Sequence, residues 1–228
     1  MNSSRTVLVT GGSSGLGAAV VEAVAQKGWR PFVLDRAPSP SGREGIVVDL
    51  SDRRATERAV AEASERLGGL DAVVTCAGTD ACGRLDTVSA DAWEKVVQVN
   101  LLGTVAVVRA ALPDLMSRRG TVVTVASTLG FRALSDATAY SASKFGIVGF
   151  TRALMAELQG RIGITMLVPG GMQTHFFDGR DEQYKPGPDA KLNKPENVAQ
   201  AVVFALSQPE GCEVRELVVT PSVEPSWP

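Results

Sequence analysis

Cysteine, histidine and aromatic residues are scarce in this sequence of 228 residues, which has three cysteines, one histidine and 5% aromatic residues. An odd and sparse set of cysteines offers no disulfide framework. No group of cysteines or histidines has the spacing of a metal site, so no metal is expected. Cys76 ends an apolar run and is interpreted as a small buried hydrophobe.

Charge of one sign and long apolar runs are also lacking. The chain has 23 Lys+Arg against 25 Asp+Glu, which argues against a protein that binds nucleic acid by neutralising phosphates. No apolar run approaches the ~18–20 residues of a membrane span. The amino terminus lacks the roughly 7–15 apolar residues of a signal peptide. We therefore expect a reduced, soluble, cytoplasmic protein, and its 44% apolar residues are enough for one sizeable core.

Short runs rich in Val, Ile and Leu alternate with helical patterns along the chain. Several runs lack polar alternation, which is typical of strands covered on both faces. The predicted strands are Thr6–Thr10, Phe32–Asp35, Gly45–Asp49, Ala72–Ala77, Thr121–Ala126, Ile164–Val168 and Glu216–Thr220. The predicted helices are Leu16–Gln26, Asp52–Leu67, Ala90–Val99, Val105–Met116, Ser141–Leu158 and Glu196–Ser207. This alternation predicts a single α/β domain over residues 1–228, a doubly wound Rossmann fold whose seven-stranded, mostly parallel sheet carries helices on both faces.

Some residues are expected to shape the ends of these elements. Ser51 and Ser89 are predicted helix N-caps. Pro113 is expected to bend or break its helix near the end, because it lacks a backbone N–H. The irregular segment 173–194 is predicted to be a lid or substrate loop. Its candidate lid residues are His175, Phe176, Phe177 and Tyr184, and the solvated rim around them is expected to comprise Asp178, Arg180, Asp181, Glu182 and Lys185.

A glycine-rich turn joins the first predicted strand to the first helix. Gly11, Gly15 and Gly17 let the backbone turn tightly and approach a pyrophosphate at the amino end of the helix. Asp35 ends the second strand, where its carboxylate can accept hydrogen bonds from the adenosine ribose. It would also repel a 2′-phosphate, by about 4 kcal/mol at ~4 Å and an effective dielectric near 20. The pattern favours NAD over NADP, and NADP stays open because Arg36 could fold over a phosphate.

Tyr140 and Lys144 are four residues apart, on one face of a predicted helix. A phenol has a pKa near 10, and a nearby ammonium and an oxidised nicotinamide both favour its phenolate. Tyr140 could then exchange a proton with a substrate hydroxyl while hydride moves to or from the nicotinamide. Ser127 lies just past the fifth strand and could donate to the substrate oxygen. Asn100 is interpreted either as a buried structural residue or as the holder of a water that connects Lys144 to solvent.

In these motifs the chain resembles the short-chain dehydrogenase/reductase family, over nearly its whole length. The matching motifs are Thr10–Gly17, Asp49, Cys76–Gly78, Asn100, Ser127, Tyr140 with Lys144, and Pro169–Gly170. The resemblance implies a catalytic tetrad in which Tyr140 is the acid/base and Lys144 lowers the pKa of Tyr140 and holds the nicotinamide ribose. Ser127 would orient the substrate and Asn100 the relay water. The family usually has Asn-Asn-Ala-Gly after strand four, and Thr75-Cys76 replaces the two asparagines here.

The resemblance also implies a set of cofactor contacts, with Asp49 at the adenine and the 169–174 stretch beside the nicotinamide. The cofactor-binding residues expected from the turn, the acid and the resemblance are Gly11, Ser13, Ser14, Gly15, Leu16, Gly17, Asp35, Arg36, Asp49, Leu50, Cys76, Ala77, Gly78, Tyr140, Lys144, Pro169, Gly170, Met172 and Thr174.

These observations predict an NAD(P)-dependent oxidoreductase that interconverts a secondary alcohol and a ketone, with a small carbonyl or alcohol compound as substrate. The alternatives are an NADPH-preferring ketoreductase of 3-oxoacyl type and a non-catalytic module that senses NAD. The resemblance implies a homodimer or homotetramer, and no nucleic acid or membrane partner is expected. The tail from Thr220 to Pro228 is predicted to dock on a neighbouring subunit through Trp227.

Overall fold

Seven strands form one sheet in the computed structural model of the protein, which describes residues 4–227. The strands are β1 (Thr6–Thr10), β2 (Arg30–Asp35), β3 (Gly45–Val47), β4 (Ala72–Thr75), β5 (Thr121–Val125), β6 (Gly163–Pro169) and β7 (Glu216–Val219). Their order is β3-β2-β1-β4-β5-β6-β7, and each neighbouring pair is parallel. The predicted doubly wound fold is confirmed.

Helices cover both faces of this sheet. They are α1 (Gly15–Gln26), α2 (Arg53–Leu67), α3 (Ala90–Val97), α4 (Thr104–Arg118), α5 (Thr138–Glu157) and α6 (Pro195–Leu206). In β1, Val7 and Val9 pack in the core beneath α1 and α6, whereas Leu8 packs in the core beneath α2, α4 and α5. Successive strand residues point to opposite faces, so a strand buried on both sides has no place for polar alternation.

The strand order reverses between β1 and β4. Chain segments leaving these two strands diverge to opposite sides, which opens a crevice at the carboxyl ends of the strands. The turn after β1 therefore begins at the point where an open parallel sheet offers room for a ligand.

The helix that contains Pro113 differs from the prediction. α4 runs through Pro113 to Arg118 without a break. Pro113 and Arg109, the residue four positions before it, are both exposed. The Arg109 carbonyl, which loses its helical partner, can therefore bind water, and the helix continues.

Residues 90–118 form one continuous helical stretch of 29 residues, which is long and apolar enough by length and composition to cross a membrane. No such stretch is predicted from the sequence, in which no apolar run approaches the ~18–20 residues of a membrane span. In this structure Val107, Val108 and Leu115 of the stretch are buried in the core against the sheet. The stretch thus has the packing of a core helix.

One of the two predicted N-caps is wrong. Asp52 caps α2, because its carboxylate accepts a backbone N–H of the first turn at 2.9 Å. Ser51 donates its hydroxyl to Asp49 instead, at 2.8 Å. Ser89 caps α3 as predicted, with its hydroxyl accepting a backbone N–H at 3.2 Å.

The close contact between α1 and the turn before it predicts different outcomes for two helical glycines. A Cβ on Gly17 would overlap the Gly11 carbonyl, whereas a Cβ on Gly149 of α5 would meet no atom of residues 4–227 within 4 Å. We expect Gly17→Ala to lower the free energy of unfolding by about 2 kcal/mol or more. Gly149→Ala should raise it by about 0.5–1 kcal/mol. Urea unfolding at pH 7 measures both changes, and equal midpoints for the two variants would contradict the packing.

Candidate active site

The carboxyl edge of the sheet gathers the predicted site residues. From β1 to β6 these are Gly11–Gly17, Asp35–Arg36, Asp49–Leu50, Cys76–Gly78, Ser127 and Pro169–Thr174. Tyr140 and Lys144 reach the same edge from α5, because the ammonium of Lys144 contacts the last residue of β5. Parallel strands end at one edge, so residues far apart in the sequence come together there.

The turn after β1 is shaped for close approach of a ligand to α1. Gly11 and Gly15 have φ angles of +68° and +52°, a region that glycine enters without steric cost. A Cβ on Gly11 would lie 2.8 Å from the Ala77 backbone. Ser14 is extended, its side chain does not cap α1, and the first turn of α1, which includes buried Leu16 and Gly17, has no acidic residue. The first N–H groups of α1 therefore suit an anion.

The Asp35 carboxylate is fixed beside this turn. One of its oxygens accepts the Ser13 N–H at 2.9 Å and the other accepts the Ala37 N–H at 3.2 Å. The Ser13 hydroxyl donates to the Ala37 carbonyl at 2.7 Å. Arg36 is exposed. The negative charge thus lies next to the glycine turn in a defined orientation.

The Asp49 carboxylate is engaged by partners that the sequence analysis did not identify. The Lys95 ammonium donates to Asp49 at 2.8 Å, and the Ser51 N–H donates at 2.9 Å. The hydrogen bond from Lys95 lowers the pKa of Asp49 to about 2. Leu50, next to Asp49, buries its side chain in the core.

Tyr140, Lys144 and Ser127 form the centre of the site. The Lys144 Nζ donates to the Val125 carbonyl at 2.9 Å and lies 5.5 Å from the ring centroid of Tyr140. The Ser127 hydroxyl accepts the Leu129 N–H at 3.2 Å, and the Ser127 side chain lies close enough to the Tyr140 phenol to act on its pKa. Ser127 and Lys144 are both buried. A phenol, a hydroxyl and an ammonium therefore share one pocket at the end of β5.

The protonation of this group differs from the expectation of a lowered phenol pKa. Desolvation raises the pKa of Tyr140 to about 12, and the nearby Ser127 side chain offsets part of that rise. Desolvation also lowers the pKa of Lys144 to about 8. The ammonium is directed to the Val125 carbonyl and not to the phenol, so it does not bring the pKa of Tyr140 below its ordinary value.

Asn100 lies in a π-helical segment, Gln98–Gly103, between α3 and α4. Its side-chain oxygen accepts the Thr79 N–H at 2.8 Å, and its amide donates to the Thr79 carbonyl at 2.9 Å and to the Ser143 hydroxyl at 3.0 Å. These bonds tie the loop after β4 to α5 beside Lys144. They support the structural interpretation of the Asn100 side chain, and the extra residue per turn that the π segment adds was not visible in the sequence pattern.

Cys76 and Thr75 stand where the related family has two asparagines. Desolvation raises the pKa of the Cys76 thiol to about 12, and the charge of Lys144 acts on it in the opposite direction. The thiol is therefore neutral and lies near the ammonium. Within the part of the chain that the structure describes, the buried Thr75 hydroxyl has no hydrogen-bond partner.

The segment 173–194 returns to its starting point and covers Tyr140. Met172 and Asn193 form a bridge at its base. Thr174 starts a short 3₁₀ turn, His175–Phe177, by accepting the Phe176 N–H at 3.3 Å. The Phe176 and Tyr140 ring centroids are 5.5 Å apart. His175 is 88% exposed and pairs with Asp178, so of the candidate lid residues it is Phe176 that contacts the phenol.

Arg180 was predicted to belong to a solvated rim, and this prediction is wrong. Its side chain is 18% exposed, and its guanidinium bonds to the Asp80 carboxylate at 2.5 Å. Asp80 follows β4 and precedes Arg180 by 100 residues. Such a distant pair leaves no periodic signal in the sequence. The nearby Phe176 and Phe177 are a local signal that the Arg180 guanidinium could stack on aromatic rings.

The carboxyl-terminal tail packs on its own chain and forms the back wall of the site. Trp227 packs edge-to-face on Phe131 at 5.6 Å, and Ser226 hydrogen-bonds to Thr128 at 2.7 Å. Glu224 accepts the Gly171 N–H at 2.8 Å. Trp227 thus packs on its own chain, its docking on a neighbouring subunit stays a prediction, and Pro228 of that tail lies outside the described residues.

Comparison with known families places this geometry in context. The model of a family described as short chain dehydrogenase matches residues 5–185. An uncharacterized oxidoreductase of Staphylococcus saprophyticus is 29% identical over 232 residues, covering 95% of this chain and 97% of that protein. The glycine betaine reductase ATRR of Emericella nidulans is 31% identical over 98% of this chain, which spans 19% of that protein's length.

Solved structures agree with the fold. A variant of actinorhodin polyketide ketoreductase with NADPH has a TM-score of 0.84 and 28% identity, covering 96% of both chains. An alcohol dehydrogenase from the archaeon Thermococcus sibiricus, complexed with 5-hydroxy-NADP, has a TM-score of 0.84 at 24% identity, covering 94% of this chain and 95% of that one. At that identity the second likeness concerns the fold alone.

The desolvated ammonium predicts a stability cost that depends on pH. We expect Lys144→Met to raise the free energy of unfolding at pH 7 by about 1–3 kcal/mol, because a buried cation is replaced by an apolar side chain. The folded pKa, about 8, is below the ordinary 10.5. Between these pH values the unfolded wild type binds more protons, so its stability rises and the advantage of the variant shrinks.

Urea unfolding at pH 7, 8.5 and 10 measures this difference. Lys191→Met, on an exposed lysine, is the matched control and should track the wild type at each pH. A Lys144→Met variant that is less stable at pH 7, or whose advantage grows with pH, would contradict the cost assigned to the ammonium.

Proposed function

Since the chain belongs to the short-chain dehydrogenase family, we propose that it is an NAD(P)-dependent oxidoreductase that interconverts a secondary alcohol and a ketone, with Tyr140 as the acid/base. One observation carries this proposal. Tyr140, Ser127 and Lys144 share a pocket at the carboxyl edge of the sheet, beside the glycine turn. A structural role alone would not require a phenol, a hydroxyl and a buried ammonium together.

The residues around the crevice fit a dinucleotide. The glycine turn and the uncapped first turn of α1 suit its pyrophosphate. The fixed Asp35 carboxylate suits the hydroxyls of an adenosine ribose. Lys144 would hold the nicotinamide ribose, with Thr174 close to Gly15 on the opposite side of the crevice. When bound, the nicotinamide would supply or accept the hydride, and its oxidised form would add a positive charge that favours the phenolate.

The protein's own groups handle the proton. With a pKa of about 12, the Tyr140 phenol is protonated at neutral pH and can give its proton to the oxygen of a ketone that is being reduced. Ser127 donates a hydrogen bond to the same substrate oxygen as negative charge develops there. In the oxidation direction Tyr140 takes the hydroxyl proton of the alcohol.

The substrate and the assembly are also part of the proposal. Phe176 and Phe177 pack edge-to-face at 5.6 Å above the site, which favours a small substrate that is at least partly apolar. Leu102 is 55% exposed and Phe145 is 46% exposed. These side chains lie at the start of the α4 region and on α5, and we propose that a homodimer or homotetramer covers them.

Tyrosine variants test the acid/base role. The chain has two tyrosines, so Tyr184→Phe is a matched control for Tyr140→Phe. We expect Tyr140→Phe to lower turnover about 100-fold or more, because one positioned acid/base contributes 10²–10⁴-fold. Tyr184→Phe should retain turnover. Initial rates with NADH or NADPH and a panel of ketones measure the effect, and quenching of tryptophan fluorescence measures nucleotide binding.

A different outcome would support a different function. If wild type and Tyr140→Phe have the same residual turnover on every compound while both bind NADH, the chain is a sensor of the nucleotide and not an oxidoreductase. If Tyr140→Phe no longer binds the nucleotide, its loss of turnover does not report on proton transfer. The comparison with the wild type is then made with Ser127→Ala.

Asp35 predicts the choice of cofactor. We expect kcat/KM with NADH to exceed that with NADPH by about tenfold or more, since a carboxylate and a 2′-phosphate at ~4 Å repel by about 4 kcal/mol. Asp35→Ser should reduce this preference, whereas Asp178→Ser, at an exposed acid, should leave it unchanged. A strong preference of the wild type for NADPH would favour the 3-oxoacyl-type ketoreductase instead.

A further inference from the structure

A buried ion pair joins the lid segment, residues 173–194, to the loop after β4. Asp80 is 5% exposed and Arg180 is 18% exposed, with 2.5 Å between the carboxylate and the guanidinium. Asp80 also accepts the Ala81 N–H at 2.8 Å. Surface ion pairs contribute little to stability, but a pair this buried is costly to break on one side only, because the remaining charge lacks a partner.

The two partners are held differently. Thr79, next to Asp80, exchanges two hydrogen bonds with the buried Asn100 side chain, so Asp80 belongs to the rigid part of the site. Arg180 belongs to the lid segment, which contains no long helix or strand. Its guanidinium stacks on Phe177 at 4.7 Å and on Phe176 at 5.2 Å. Phe176 in turn contacts the ring of Tyr140.

We propose that Asp80 and Arg180 are positioning residues that latch the lid segment and hold Phe176 over Tyr140. This inference rests on the proposed function, in which Tyr140 transfers a proton to the substrate. Closing the latch pairs both charges and covers the phenol, whereas opening it returns both charges to water and exposes the phenol to substrate. Intermediate positions leave an unpaired charge, so the lid has two favoured states.

One feature of the closed state favours reopening. The Arg180 Nε–H is buried and has no hydrogen-bond partner among the described residues. A buried donor without a partner costs free energy that it would regain in water. The latch is therefore closed in this structure, with one donor of Arg180 left without a partner among the described residues.

The latch also changes the charge around the phenol. The groups that face Tyr140 are Asp80 from the loop after β4, Arg180 from the lid, Ser127 from the end of β5 and Lys144 from α5 itself. Lys144 has the neutral Cys76 thiol beside it. Asp80 raises the pKa of Tyr140 and Arg180 lowers it. When the lid opens, Arg180 leaves and Asp80 stays, so the approach of the guanidinium on closure acts to lower the pKa of Tyr140, against the desolvation by Phe176, which acts to raise it.

Hydrogen exchange of the nucleotide-free protein tests the latch without any turnover. The variants are Asp80→Asn and Arg180→Gln, and Lys185→Gln is the matched control because Lys185 forms an exposed ion pair with Glu182 in the same lid. We expect lid amides to exchange about tenfold faster in both latch variants and at the wild-type rate in the control. Peptides from β4 and β5 report whether each variant folds. Wild-type exchange in both latch variants would overturn the latch.

The pH dependence of alcohol oxidation tests the positioning role, because oxidation requires Tyr140 to take a proton. The measured quantity is the pH at which the oxidation rate is half-maximal on the acidic side of the pH–rate profile. Arg180→Gln should raise this pH by roughly half a unit or more, because a cation is lost, and Asp80→Asn should lower it by a similar amount, because an anion is lost. The double variant Asp80→Asn/Arg180→Gln should return toward the wild type. A merely structural pair would speed lid exchange in both variants without shifts of opposite sign, which would overturn the positioning role.

The two readouts separate this inference from the proposed function. If the wild type turns over none of the tested compounds, the proposed function fails, and the exchange experiment still decides whether the latch exists. If turnover is normal and lid exchange is unchanged in both variants, the proposed function stands and the latch is wrong.

Discussion

The burial of one ammonium group constrains the rest of this site. Lys144 is 5% exposed, and its Nζ donates to the carbonyl of Val125, the last residue of β5. Removing a cation from water costs several kcal/mol even when it has a partner. The burial of apolar side chains on both faces of the seven-stranded sheet contributes the favourable free energy that offsets this desolvation. The neighbours of the ammonium are desolvated as well. Burial raises the pKa of the Tyr140 phenol and of the Cys76 thiol, so both are neutral beside the charge.

Much of this fold follows from local patterns in the sequence. A strand buried on both faces is a short apolar run, and Thr6–Thr10 was predicted with the bounds that the structure has. The glycine turn was found because its backbone requires residues without a Cβ. Tyr140 and Lys144 are one helical turn apart, so their proximity is a matter of spacing along a helix. In each case the determining interaction lies within a few residues.

The features that the sequence did not reveal depend on contacts between distant residues. Asp80 and Arg180 are 100 residues apart and Lys95 lies 46 residues from Asp49, and no periodic pattern records such pairs. The pKa of Tyr140 belongs to the same class. Helical spacing predicted that Lys144 lies near the phenol, but the direction of the shift depends on desolvation and on the Val125 carbonyl, which attracts the ammonium.

The replacement of the family's two asparagines acts on the same pocket. An asparagine side chain has both a carbonyl acceptor and an amide donor, whereas the neutral Cys76 thiol is a weak partner in both respects. Lys144 donates to the Val125 carbonyl, and desolvation lowers its pKa to about 8. Of the charges that act on the pKa of Tyr140, the Arg180 guanidinium is the one that belongs to the lid. Thr75-Cys76 makes this pocket less polar than two asparagines would. Charges interact more strongly where hydration and competing dipoles are few. The position of the Arg180 guanidinium therefore has a larger effect on the pKa of Tyr140.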